Sequence, residues 1–295
     1  MPPLMTGIIA SILLGINIIF WCSLLFIFTL FKLIIPLASV RHVLTVILNT
    51  IAENWISCNS GWMWLTQKMN WNIRLPANLH RNGWYFVISN HQSWVDILIL
   101  QHALNRKIPL LKFFLKQELI KVPVMGAAWW ALDFPFMKRY SKAYLEKYPE
   151  KKGQDLATTR KACAKFKNMP TSVMNFLEGT RFTQQKHDEQ HSPFTHLLKP
   201  KAGGMAFAMN AMGDQFRSVL DVTIQYPDGV PTFWEFLQGK MQRCTVLVNE
   251  KPIPAELLNG SYETDAAYRE NFQQWVQTLW EEKDQQLQAL ANAIS

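Results

Sequence analysis

The sequence predicts an α/β domain carried on an N-terminal membrane anchor. Three features predict it: an uncharged opening stretch, an alternation of short apolar runs with longer helical patterns, and an amphipathic helical pattern at the end. Composition sets the same bounds. The 295 residues are 49% hydrophobic and 13% aromatic, with 12 Trp, and only 18% are charged. That balance excludes a disordered chain and leads us to expect a membrane contact. Lys and Arg outnumber Asp and Glu by 30 to 22, a net charge of +8, which suits anionic headgroups or serves solubility alone. Cys22, Cys58, Cys163 and Cys244 lie far apart with no CxxC, so a reducing compartment and no zinc module are expected.

The opening stretch comes first. No charged side chain occurs from Met1 to Phe31, and Gly7 to Leu30 is almost continuously apolar, longer than the roughly 20 residues a bilayer requires. A cleaved signal peptide has a basic start and a shorter apolar run, so a retained anchor is expected. Lys32 and Arg41 precede the first acid, Glu53, which by the positive-inside rule puts the rest of the chain in the cytoplasm, on the inner membrane if the source is bacterial. Asn17 and Pro36 interrupt the pattern. They leave open both a single span and a half-buried helical hairpin lying in one leaflet. Residues 1–40 are therefore assigned to the anchor. Residues 41–70 are assigned to an amphipathic interfacial segment, with Trp55, Trp62 and Trp64 at the lipid surface. A chain truncated before Arg41 is expected to fold.

The remaining domain, residues 71–295, alternates apolar runs (Trp84 to Ser89, Ser172 to Leu177, Ser218 to Ile224, Cys244 to Val248) with helical stretches (Asp96 to Ala103, Asp155 to Lys167, Ala202 to Met212). Tyr140 to Gln154 is a charged connection and Thr183 to Ser192 a polar loop. Near the end, Phe272, Trp275, Val276, Leu279 and Trp280 fall on one helical face, to be packed on the domain or on lipid.

Among chemical motifs, a GxSxG elbow, HExxH, a Walker loop and GxGxxG are all missing, which takes support from serine hydrolases, zincins and nucleotide folds. His187, Asp188, Glu189 and His191 offer two histidines that could face one way on a helix, but the segment is polar and closed by Pro193. A solvated loop is the expected reading and no metal site is assigned.

Asn90 to Asp96 follows an apolar strand and precedes an apolar helical pattern, the place where α/β sheets build sites. With Ser93 as N-cap, Asp96 falls in the first turn and can reach the His91 ring. A carboxylate holding an imidazole in one tautomer makes a general base. Ser93 and Asp96 also fit an ordinary capping box, so this segment alone leaves both readings open. Phe176 to Arg181 also follows a strand. There Gly179 lets backbone amides approach an anion, and Arg181 offers a bidentate fork for phosphate or a partner for Glu178.

Together the HxxxxD pattern of His91 and Asp96 and the EGTR pattern of Glu178 to Arg181 resemble the first and third motifs of the glycerolipid acyltransferases of the lysophosphatidic acid acyltransferase family. Phe114 to Leu119 with Pro123 and Gly126, ending in Phe136 to Arg139, looks like the second motif. Val219 to Ile224 is similar to the fourth, with Asp221 where the family usually has proline. The similarity runs from about Trp84 to Tyr226. Phe136 to Arg139 and Arg181 to His187 resemble the branch with lysocardiolipin-type and other long-chain enzymes.

The resemblance implies a glycerolipid acyltransferase-like mixed sheet flanked by helices, and transfer of an acyl group from acyl-CoA or acyl carrier protein to the sn-2 hydroxyl of a lysophospholipid. Lysophosphatidic acid leads among acceptors, with lysophosphatidylglycerol or lysocardiolipin as the alternative. His91 and Asp96 form the catalytic dyad. Lys116 steadies the oxyanion, Arg139 and Arg181 hold the acceptor phosphate, Thr180 adds a donor, and Gly179 and Glu178 shape the substrate-binding loop. Membrane lipids are the expected partners, and no nucleic acid is. A thioester is already activated, so no metal or other cofactor is expected. A membrane-bound thioesterase and a non-catalytic lipid-binding protein stand as rivals.

Overall fold

The computed structural model describes residues 1–137, 148, 163, 166, 169–212, 215–258 and 260–293. Helix α1 (Pro3–Ile34) and helix α2 (Ala38–Thr66) fold back on each other as a hairpin. The break sits at Ile35, whose extended backbone is what the residue before Pro36 prefers. Among the described residues α1 alone is long and apolar enough to cross a membrane. Its inner face is largely small or polar, with Thr6, Gly7, Ala10 and Asn17 buried, while Leu4, Ile8, Ile12, Ile19 and Ile27 point outward. Small residues let helices approach closely, and here Asn17 donates to the Trp55 carbonyl (3.1 Å) and to Asn59 Oδ1 (2.8 Å) across the hairpin.

Helix α2 is tied to the domain more than to any outer surface. Glu53 pairs with Arg81 at 2.5 Å, His102 bonds Ser60 at 2.8 Å, and Asn105 donates to Ser57 Oγ at 2.9 Å. Trp62, expected at the lipid surface, is 5% exposed. It packs on Phe236 because its indole N–H is taken inside by Asn59. Trp64, at 83% exposed, does face outward, and Trp55 is half-buried.

The domain is a mixed six-stranded sheet flanked by helices, in the order β1-β8-β7-β2-β6-β3. The strands are β1 (Asn70–Arg74), β2 (Tyr85–Ser89), β3 (Leu111–Phe113), β6 (Ser172–Phe176), β7 (Ser218–Gln225) and β8 (Arg243–Lys251). Strands β7, β2, β6 and β3 run parallel, while β8 is antiparallel to β7 and parallel to β1. A second, two-stranded pairing joins β4 (Leu115–Lys116) to β5 (Phe136–Met137). The continuous apolar run of β2 matches its burial on both faces, and β7 is buried along nearly its whole length despite Asp221 and Thr223 within it. Strands β1 and β3 escaped the sequence reading because Asn70 to Arg74 mixes polar and apolar residues and Leu111 to Phe113 is very short.

Helix α3 (Val95–Leu104) follows β2, and helix α4 (Met125–Ala131) follows a 3₁₀ turn at Gln117–Lys121. The segment expected to be a polar loop contains helix α5 (Gln184–Glu189), because Thr183 caps it by accepting from the Lys186 N–H at 3.3 Å. Helices α6 (Gly203–Met212), α7 (Phe233–Leu237) and α8 (Ala266–Asn292) complete the domain. The expected connection Tyr140 to Gln154 and helix Asp155 to Lys167 lie outside the described residues, apart from isolated positions. The buried stripe of α8 (Tyr268, Phe272, Val276, Leu279, Trp280) packs on the domain's second core with Phe86, Ile88 and Met205.

Candidate active site

The parallel strands β7, β2 and β6 all end on one side of the sheet, and the singled-out residues gather there. Asn90, next after β2, clamps the end of β7: its Nδ2 donates to the Ile224 carbonyl (2.8 Å) and its Oδ1 accepts the Ile224 N–H (2.9 Å). His91 is then held at both backbone atoms by the other motif. Its N–H donates to Glu178 Oε1 at 2.8 Å, and its carbonyl accepts from the Phe182 N–H at 2.7 Å. The ring lies flat on Phe176, the last residue of β6, with centroids 3.8 Å apart.

His91 Nδ1 is 2.8 Å from Asp96 Oδ2. With Nδ1–H donated to the carboxylate, Nε2 keeps its lone pair and is the basic nitrogen. The His91 side chain is 12% exposed and that of Asp96 1%, so the imidazole reaches the surface while the carboxylate that holds it is buried. Helix α3 begins at Val95, with Trp94 in the N-cap position, one residue later than the expected Ser93 cap. The Ser93 hydroxyl donates to the Pro231 carbonyl at 2.6 Å and accepts from the Val95 N–H at 3.2 Å, while the Asp96 N–H goes to the Ser93 carbonyl. The Asp96 carboxylate nonetheless accepts from the Ser93 N–H at 2.9 Å and the Gln92 N–H at 2.6 Å. One carboxylate thus both closes the turn and contacts the imidazole.

Glu178 is buried, and its oxygens accept from the amides of His91 and, at 3.0 Å, of Leu198. Removal from water pushes its carboxyl up to about 8, against the two amide bonds that favour its charge; Asp96 adds to the rise, and Lys283 opposes it. It shapes the loop from inside, so Arg181 has no claim on it. The Arg181 guanidinium instead stands 5.0 Å over the exposed Trp94 ring. Gly179 takes φ +69°, and a Cβ there would come within 3.2 Å of the Lys201 ammonium nitrogen. Lys186 Nζ donates to Thr180 Oγ1 at 2.8 Å and to the Arg181 carbonyl at 3.0 Å. Two ammonium groups thus crowd the Gly179–Thr180 turn.

Lys116 is exposed on β4, just beyond the C-terminal end of β3, whose Phe113 stacks on Phe176 at 6.2 Å. Arg139 lies outside the described residues. The sequence reading missed Tyr226, whose buried hydroxyl donates to Asp96 Oδ1. The available signal was a hydroxyl directly after β7, at the same end of the sheet as His91. Phe176 and Trp94 were in view within the two motifs, but ring contacts between strand ends have no linear signature.

Residues 70–227 match the family model described as Acyltransferase. The chain is 27% identical over 214 residues to 1-acyl-sn-glycerol-3-phosphate acyltransferase gamma of Mus musculus, covering 67% of this chain and 51% of that protein. It is 26% identical over 212 residues to the delta protein of Homo sapiens, covering 67% and 50%. The chain thus spans about half the length of these mammalian relatives. The crystal structure of the 1-acyl-sn-glycerophosphate (LPA) acyltransferase PlsC from Thermotoga maritima aligns with a TM-score of 0.55 at 17% identity, over 94% of this chain and 95% of that one. That likeness is one of fold. The family match covers more than half of the chain and contains both strand-end motifs, and the chain belongs to the acyltransferase family.

Proposed function

We propose that this protein transfers a fatty acyl group from a thioester, acyl-CoA or acyl carrier protein, to the sn-2 hydroxyl of a lysophospholipid, with lysophosphatidic acid as acceptor and phosphatidic acid as product. The observation that carries this reading is a carboxylate-held imidazole opening beside a turn flanked by cations. His91 Nε2 takes the hydroxyl proton, and the buried Asp96 stabilises the imidazolium. The alkoxide oxygen bonds to the thioester carbonyl carbon. As the tetrahedral intermediate collapses, the carbon–sulfur bond breaks and the thiolate leaves with the proton from His91. Lys116 and backbone amides serve the oxyanion, while Arg181, with Arg139, serves the acceptor phosphate; Thr180 is a further donor. The printed names of the mammalian relatives, 1-acyl-sn-glycerol-3-phosphate acyltransferases, support the same substrate class.

The hairpin supports a membrane arrangement to match. Helix α1 is roughly 48 Å long at 1.5 Å per residue, against a hydrocarbon core of about 30 Å. Both of its ends touch the domain: Gly7 lies against Trp234 of α7, and Lys32 pairs with Asp133 at 2.9 Å. A helix bound at both ends to one side of a domain fits the cytoplasmic leaflet better than a perpendicular span, and it holds the His91 site where lipid acceptor and soluble donor meet.

The test is full-length protein in vesicles supplied with labelled acyl-CoA and lysophosphatidic acid. Phosphatidic acid is the expected product. Free fatty acid alone would assign a thioesterase, and no turnover a lipid-binding protein. A panel of lysophospholipid acceptors then ranks the headgroups.

A further inference from the structure

Resting on the acyl-transfer reading, we infer that Tyr226 is a positioning residue for the reaction: its hydroxyl binds the Asp96 oxygen that His91 does not use, and so sets how strongly that carboxylate holds the imidazole. The two oxygens of Asp96 are used differently. Oδ2 accepts from the His91 ring at 2.8 Å, the Gln92 N–H at 2.6 Å and the Ser93 N–H at 2.9 Å. Oδ1 accepts the Tyr226 hydroxyl. The donors to Oδ2 come from the segment just before Asp96, whereas Tyr226 arrives from the end of β7, 130 residues further along the chain. Asp96 is buried, and a charged carboxylate kept from water depends on each donor it has.

The surrounding contacts hold Tyr226 in place. It follows β7 directly, and Asn90, beside His91, grips that strand end through the Ile224 carbonyl and N–H at 2.8 and 2.9 Å. The strand end that carries the base thus fixes the strand end that carries the hydroxyl. Beyond it, the Tyr226 carbonyl accepts from the Gly229 N–H at 3.1 Å, with Gly229 at φ +97°. Asp228 in that turn accepts the Arg243 backbone N–H at 3.0 Å and its guanidinium at 2.9 and 2.6 Å. Pro231 ties the same loop back to the motif, since its carbonyl accepts the Ser93 hydroxyl at 2.6 Å. A buried tyrosine hydroxyl needs a partner, and here the partner is the carboxylate behind the base.

The hydroxyl remains a donor, because burial and then the Asp96 charge raise its pKa well above the ordinary tyrosine value. The titratable groups around Asp96 are His91 and Tyr226, with Glu178 from the turn after β6 and Cys244 from β8. Burial raises the pKa of the last two, and the Asp96 charge adds to both. A carboxylate deprived of a donor is a stronger base, and the imidazolium paired with it is a weaker acid. Both changes raise the pH at which the dyad takes up a proton. Oδ2 keeps its two backbone amides in either case, so the carboxylate stays in front of His91.

The experiment measures the pH profile of kcat/KM in vesicles for full-length wild type, for Tyr226→Phe, and for protein carrying a ring-fluorinated tyrosine at position 226. Tyr226→Phe keeps the buried ring and removes the hydroxyl, and its acidic limb should lie about one pH unit above that of wild type. The fluorinated ring carries a more acidic hydroxyl that donates more strongly, so its limb should lie below wild type. Both shifts should persist on a Glu178→Gln background, which takes the other buried carboxyl out of the titration. Limbs that coincide with wild type, with activity merely scaled or the Tm merely lowered, would overturn the assignment, as would shifts that vanish on the Glu178→Gln background. If Tyr226→Phe fails to fold, the direction of the shift in the fluorinated protein, which keeps ring and hydroxyl, decides alone. Wild type that transfers no acyl group refutes the acyl-transfer reading instead. The His91 ring titration, read by NMR of histidine-labelled full-length protein in micelles and assigned by its loss in His91→Gln, then carries the same test. It should move up in Tyr226→Phe, and an unmoved titration would refute the role given to Tyr226.

Discussion

Asp96 receives four donors: the His91 ring, the amides of Gln92 and Ser93, and the Tyr226 hydroxyl. Only a charged carboxylate accepts all four without turning a donor toward a donor. Asp96→Asn places an NH₂ against one of them and removes the charge that stabilises the imidazolium. His91→Ala and Asp96→Asn should each lower kcat by about 10² to 10⁴ with the protein still folded and in the membrane. Near-normal turnover in Asp96→Asn, at unchanged circular dichroism, would reduce that carboxylate to a turn closure. Arg181 answers a different question. Over Trp94 its planar guanidinium has a stacking face and a fork that meets no carboxylate among the described residues. Arg181→Lys should raise KM for the lysophospholipid several-fold more than KM for the acyl donor; the reverse ratio in two-substrate kinetics would assign the turn to the CoA side.

Between strand and helix, Glu178 joins three elements: the β2 end through His91, its own β6 turn, and the Leu198 loop braced by α8. Burial without water raises its folded pKa to about 8, from an ordinary value near 4.5. The native state then holds a proton that the unfolded chain has released, so this group's contribution is complete below about pH 4.5 and is lost as pH rises through 8. Thermal melts across that range should show wild type losing on the order of a few kcal/mol relative to Glu178→Gln, isolating the one carboxyl. Parallel slopes for the two proteins would mean that Glu178 titrates normally. This carboxylate was visible in the sequence as part of a motif, but its burial was not. Burial depends on Leu198 and Trp280, which are distant in the chain.

For the molecule as a whole, the hairpin and the domain share one apolar core. Ala10, Cys22 and Leu25 of α1 belong to the same buried cluster as Leu48 of α2 and Val87 of β2. The sequence expectation that a chain truncated before Arg41 folds alone conflicts with this arrangement. Removing residues 1–40 uncovers the inner face of α2 and the α4 and α7 contacts, together with the Lys32–Asp133 pair. The truncated protein should aggregate or melt well below the full-length chain, and light scattering with a detergent melt in parallel checks this. A soluble, monomeric truncate with native stability would show that the domain needs nothing from the hairpin.

The sequence by itself determined the uncharged apolar first helix, the strand before each motif, the helices α3, α6 and α8, and the choice of His91, Asp96 and Glu178 to Arg181 as the residues to look for together. Each of these is written in local properties: charge density, period, or residue types adjacent in the chain. The tertiary structure alone decided that Trp62 turns inward, that Tyr226 closes the far side of Asp96, that Arg181 lies on Trp94, and that a lysine from the last helix sits beneath β7. These pairings join positions far apart in sequence, 130 residues for Tyr226 and Asp96 and more for Trp62 and Phe236. They are set by which strands become neighbours and by which buried polar group lacks a nearer partner, and neither is encoded in any short stretch of the chain.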